Sequence, residues 1–95
     1  MKPIELFNDT HWFVYLLECS DGTHYCGVAK DVEARLKEHN AGRGSKYVRG
    51  RTPATIINSS GPLSHGDALR LELKVKKSRT LRDKIALLGI KQEGI

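Results

Sequence analysis

Little in this sequence declares a function outright. It has only two cysteines, Cys19 and Cys26, too few for a disulfide framework or a thiolate zinc cage. They read as small apolar fillers on paired strands, suited to a reducing cytoplasm. No apolar run approaches the roughly 18 residues of a membrane span, so no membrane partner is expected. The opening MKPIELFNDT has no apolar segment of the signal-peptide kind, and the expected location is cytoplasmic. There are no internal repeats and no low-complexity tracts. His11, His24 and His65 are scattered without metal-ligand spacing and read as structural or exposed. Finally, no Asp or Glu occurs between Glu38 and Asp67.

That acid-free segment turns attention to what is present. The chain of 95 residues carries a net charge of +5, which favours a polyanionic partner. Inside the segment lies RGSKYVRGR, residues 43–51, where Arg43, Lys46, Arg49 and Arg51 alternate with glycines and one aromatic, Tyr47. Two readings fit: a solvated basic loop, or a loop whose glycines let its backbone approach phosphates. Tyr47 would stack on an unpaired base or cover the sheet edge.

The length bounds a single domain, expected over 12–88, with 1–11 and 89–95 as terminal extensions. Residues 11–19 are rich in strand formers and apolar on both alternating faces, as in a covered central strand. SDG ends that strand and 23–28 form the second. Asp31 caps a short helix that stops before Gly42. Pro53 introduces a third strand, 54–60. Ser64 with Asp67, and Thr80 with Asp83, resemble capping boxes opening two further helices, the first running to about Lys77 and the second closed by Gly89. The order ββαβαα predicts an α+β domain, a three-stranded antiparallel sheet flanked by about three helices.

The hairpin FVYLLECSDGTHYCG leaves two registers open. A two-residue Asp21-Gly22 turn sends Tyr15 and Tyr25 to opposite faces. A three-residue loop with Gly22 left-handed pairs Tyr15 with Gly27 and sets both tyrosines on one face, roughly 7–8 Å apart. Only the second gives the tyrosines a joint purpose, with Gly27 leaving the Tyr15 ring room. On the first helix Val32, Arg35, Leu36 and His39 share an arc, with Glu33, Lys37 and Asn40 facing away. Arg35 and His39 read either as a snorkelling arginine and a satisfied core histidine, or as site residues. On the second helix Ala68, Leu69, Leu71, Leu73 and Val75 define the buried arc, with Glu72 near its middle. A carboxylate there needs a cation: Arg35, in a structural ion pair, or a divalent metal. Two phenols, an arginine, an imidazole and one inward carboxylate form a set able to hydrolyse a phosphodiester.

Phe13-Val14-Tyr15 followed by Tyr25-Cys26-Gly27 resembles the paired motif that names the GIY-YIG nuclease superfamily. KDVEARLKEHNAG resembles the arginine-bearing helix of that family, including the His-Asn pair of its structure-specific repair branch. SKYVRGRTP and the glutamate in LRLELKVKK resemble the small stand-alone bacterial members. The resemblance covers about residues 12–88. It implies a metal-dependent nuclease that hydrolyses DNA, with branched, damaged or single-stranded DNA as candidate substrates. Tyr15 would activate the attacking water and Tyr25 would orient it or the phosphate. Arg35 would stabilise the developing charge, and His39 would hydrogen-bond a tyrosine or help move its proton. Glu72 would hold one Mg²⁺ or Mn²⁺. Lys30, Arg43, Lys46, Tyr47, Arg49 and Arg51 would meet the nucleic acid, with Lys30 also able to lower a phenol's pKa. A homodimer or a repair-complex partner is an accompanying expectation. Phe13 and Cys26 depart from the motif's glycine and central aliphatic, and no asparagine follows Asn58, where many members have one beyond the metal glutamate. The alternative reading is a non-catalytic or very slow nucleic-acid-binding module that recruits a repair complex.

Overall fold

The computed structural model describes residues 10–89. Its elements follow the expected order: β1 (Phe13–Glu18), β2 (His24–Ala29), α1 (Val32–Asn40), β3 (Thr55–Ser59), α2 (His65–Lys77) and α3 (Leu81–Gly89). The strands form one antiparallel sheet in the order β2-β1-β3. The apolar run of residues 11–19 therefore supplies the central strand, as a strand buried on both faces must. The tail after Gly89 lies outside the described residues.

The hairpin takes the three-residue loop. Tyr15 pairs with Gly27 and Leu17 with Tyr25, while the Cys19 N–H donates to the Thr23 carbonyl at 2.8 Å. Gly22 has φ of 86°, the left-handed conformation that glycine adopts without a Cβ clash. Asp21 braces the turn by accepting from both the Thr23 amide (3.1 Å) and hydroxyl (2.6 Å).

Each helix starts on the expected cap. Asp31, Ser64 and Thr80 accept from the amides of Ala34, Asp67 and Asp83 respectively, satisfying donors that a first turn leaves unpaired. The boxes are only half formed at Ser64: the Asp67 carboxylate turns outward to the Arg70 guanidinium.

Alternation along β1 divides the interior in two. Val14, Leu16 and Cys26 face Ala68, Leu71, Val75 and Leu88 of α2 and α3. Tyr15, Leu17 and Cys19 face the other way, against Ala29, Val48 and Ala54, with Tyr25, Val32 and Leu36 packed alongside. Both cysteines are buried and unbridged, one in each cluster. The expected buried arc of α2 needs correction. Leu69 and Leu73 are 43% and 54% exposed, because at 100° per residue they sit well round the helix from Ala68, Leu71 and Val75. Glu72 flanks the true arc.

Asn40 is exposed, as expected, yet it has a structural role. Its side chain donates to the Ala54 carbonyl at 3.0 Å and accepts from the Ala54 N–H at 2.7 Å. It thereby ties the end of α1 to the entry of β3, just past the cis Thr52–Pro53 bond.

Candidate active site

The first residue of the site is Tyr15, in the middle of the central strand and 1% exposed. Its ring passes over Gly27, where a Cβ would lie 2.5 Å from the phenol oxygen. The oxygen is 3.0 Å from His39 Nε2. The ring centroid of Tyr15 is 6.3 Å from that of Tyr25 and 6.1 Å from that of His39, and Tyr25 and His39 are 5.3 Å apart, edge to face. Strand register brings the two phenols together, and the four-residue spacing between Arg35 and His39 aims α1's polar edge at them.

Burial pushes the Tyr15 phenol up to about 12, reinforced by the charge of a neighbouring Tyr25 phenolate. The Arg35 guanidinium works against that rise, as hydrogen-bond donor and as charge. His39, 1% exposed, has its pKa lowered by burial first and by Arg35 second, so it is a neutral imidazole at neutral pH. Arg35 is held by its neighbour Glu38 at 2.8 Å; it does not pair with Glu72. The structural ion pair left open by the sequence is therefore not formed.

Glu72 comes from the other face of the sheet. Its carboxylate is half-buried and lies 3.3 Å from Lys76 Nζ, one turn on. It also faces Cys26, whose thiol burial pushes up to about 12, with the Glu72 charge as the next cause. Cys26 follows Tyr25 directly on β2, the edge strand. A cavity of about 220 Å³ wraps that edge, lined by Tyr25 and Tyr47 from one face and by Leu16, Cys26 and Lys76 from the other, with His24 and Lys84. The edge of β2 is where the tyrosine face and the Glu72 side meet.

The basic loop divides in role. Val48 is buried and anchors it. Tyr47 stacks on Tyr25 with centroids 6.0 Å apart, and the Arg51 guanidinium lies 4.2 Å over the Tyr47 ring. Arg51 also donates to Asp21 (3.0 Å) and to the Tyr47 carbonyl (2.6 Å). Arg51 thus fastens the loop to the hairpin turn, whereas Arg43, Lys46 and Arg49 are exposed. Lys30 is placed elsewhere: its ammonium sits 5.4 Å over Trp12, which stacks on His65 at 4.1 Å.

Among the described residues no three His, Cys, Asp or Glu side chains cluster as a metal cage. A lone half-buried carboxylate fits a hard ion that keeps several waters and takes further oxygens from a phosphate, as Mg²⁺ and Mn²⁺ do. It does not fit a fully protein-ligated zinc site. Lys76 occupies the carboxylate meanwhile.

Among the described residues no helix is long and apolar enough to cross a membrane. The family model described as the GIY-YIG catalytic domain matches residues 11–84. A UPF0213 protein of Nitratidesulfovibrio vulgaris is 46% identical over 72 residues, 76% of this chain and 66% of that relative. This chain thus spans just under two thirds of that relative's length. A UPF0213 protein of Halobacterium salinarum is 50% identical over 64 residues, 67% of this chain and 83% of the relative. The solution NMR structure of a UPF0213 protein from Bacillus halodurans is 40% identical, covers 84% of each chain and has a TM-score of 0.47. The match over residues 11–84, which holds both tyrosines, Arg35, His39 and Glu72, shows that the chain belongs to the GIY-YIG family of nuclease domains.

Proposed function

We propose that this chain is a metal-dependent nuclease that hydrolyses DNA phosphodiester bonds. The observation that carries the reading is the packing of Tyr15, Tyr25 and His39 into one ring cluster beside Arg35, which a core built only for stability would fill with apolar side chains.

Tyr25 is half-buried and lines the cavity, so it is the phenol that meets an incoming phosphate or water. Tyr15 lies behind it as the group that activates the water. With a pKa of about 12, roughly one Tyr15 in 10⁵ is ionised at neutral pH. Its proton leaves only as opposing charge gathers, and Arg35 already acts in that direction. His39 hydrogen-bonds the phenol oxygen and holds its orientation or helps move its proton. Arg35 stabilises charge developing on the phosphate oxygens. Glu72 would hold Mg²⁺ or Mn²⁺, releasing Lys76. A bound divalent ion supplies charge neutralisation at the phosphate and a more acidic water. Arg43, Lys46 and Arg49 steer the polyanion through exposed charge. Branched, damaged or single-stranded DNA would be distinguished by shape, with repair the cellular setting, the cytoplasm the location, and a second copy or a repair complex the partner.

The test is cleavage of end-labelled single-stranded, duplex, flapped and four-way DNA with Mg²⁺, Mn²⁺ or EDTA, wild type beside Glu72→Ala. Cutting that needs metal and falls by about 10²-fold or more in the variant, with DNA affinity within a few fold, is expected. Binding without cutting in every arm would replace the enzyme with the alternative, a nucleic-acid-binding module.

A further inference from the structure

The loop after α1 closes on His39 from behind. The Ser45 N–H points at His39 Nδ1, 3.2 Å away, and the Ser45 hydroxyl accepts from the Tyr47 amide at 3.0 Å, bracing that turn. The approach requires glycine at position 44. A Cβ there would overlap Nδ1, and would stand 2.8 Å from Cγ and 2.9 Å from the backbone Cα of His39. Backbone cannot give way as a flexible side-chain tip can.

A backbone N–H can only donate. Nδ1 must therefore accept, and a neutral imidazole carries its single hydrogen on the other nitrogen. That nitrogen, Nε2, is the one 3.0 Å from the Tyr15 oxygen. The groups facing this imidazole are Tyr15 from β1, Tyr25 from β2, Arg35 and Glu38 from its own helix, and the Ser45 amide from the loop. Of these, only the Ser45 amide is a hydrogen-bond partner of Nδ1 among the described residues.

We propose that Gly44 and the Ser45 amide are positioning elements that lock His39 as the Nε2–H tautomer, so that the imidazole donates to Tyr15 and does not accept that phenol's proton. His39 keeps its charge unchanged while Tyr15 ionises, and the phenolic hydrogen is directed away from His39. This settles between the two roles open to the histidine: it holds the phenol and does not relay its proton. The catalytic consequence rests on the nuclease reading, whereas the tautomer does not.

The test is a long-range ¹H–¹⁵N spectrum of the histidine rings at neutral pH, with His39 assigned by its loss in His39→Gln. Wild type should show a protonated Nε2 and an unprotonated Nδ1, with a scalar coupling across the hydrogen bond from the Ser45 amide. Ser45→Ala keeps the amide and should keep the pattern. Gly44→Ala should move His39 toward the Nδ1–H form and lower kcat about tenfold with KM unchanged, the size expected for one hydrogen bond. An Nδ1–H tautomer in wild type overturns the proposal, as does an unaltered His39 pattern in folded Gly44→Ala. If Gly44→Ala fails to fold, the wild-type and Ser45→Ala spectra decide alone. Absence of DNA cleavage alongside the expected spectra would defeat the nuclease reading and leave the lock standing.

Discussion

The two faces of the sheet are built on different terms. The face formed by Val14, Leu16 and Cys26 is covered by two regular helices through Ala68, Leu71, Val75 and Leu88, and its side chains fill space. The face formed by Tyr15 and Leu17 is covered by one short helix and a loop. Its rings are held at set distances by single contacts, a glycine under a phenol and a backbone amide on an imidazole, and Asn40 ties its helix to the residue before β3. The first face can lose a methyl group and lose only stability. On the second, under the proposed nuclease reading, small steric changes should alter turnover as well as stability. Glu72 belongs to the helix-covered side, and its charge acts on Cys26, which with its ion-pair partner Lys76 lines the cavity that both faces border at the β2 edge.

The largest effect on stability should come from the filled face. Leu88→Ala, at a fully packed position, should cost about 2–5 kcal/mol in denaturant unfolding and leave cleavage per folded molecule unchanged. Lost activity in the folded variant would break the division of labour. Gly27→Ala on the other face should cost about 1–3 kcal/mol through overpacking against the Tyr15 phenol. Unlike Leu88→Ala it should also lower turnover in the surviving folded protein, as single-turnover kinetics would show. Asn40→Ala strands both polar groups of Ala54 and should cost about 1–3 kcal/mol, with faster hydrogen exchange at the Ala54 amide as the local signature.

The smallest effect is a pH dependence. Because burial and Arg35 lower the folded pKa of His39, the unfolded chain takes up its proton first on acidification. The contribution is complete above the unfolded value near about 6.5 and is lost as pH falls through the window down to the folded value. Tm of wild type should therefore drop through that window, and His39→Gln should flatten this segment. Asp67, held below its ordinary value by Arg70, and Asp21, held below it by Thr23, act only at lower pH. An identical slope in His39→Gln would contradict the buried neutral imidazole.

What the sequence disclosed was local or periodic. The caps Asp31, Ser64 and Thr80 stand one residue before their helices, and of the two hairpin registers the sequence leaves open, the structure takes the one that gives two tyrosines and Gly27 one face. The reading of Leu69 and Leu73 as buried failed because apolar identity was taken without its angle on the helix. Two ion pairs carry a short-range sequence signal: Arg35 with Glu38 at i, i+3, and Glu72 with Lys76 at i, i+4. Arg51 with Asp21, Asn40 with Ala54 and Lys30 with Trp12 join segments through tertiary folding, so no spacing rule announces them. The same holds for Ser45 on His39, although the glycine at 44 is its trace in the sequence.

The central claim is that Tyr25 on one face and Glu72 on the other serve one reaction at the β2 edge. The most direct measurement compares cleavage rates of Tyr25→Phe, Glu72→Gln and the double variant on one DNA substrate under one set of metal conditions. Residues acting as a unit lose their effect together, so the double variant should cut no more slowly than the slower single variant. Losses that multiply in the double variant would contradict the account and separate the two faces into independent contributors.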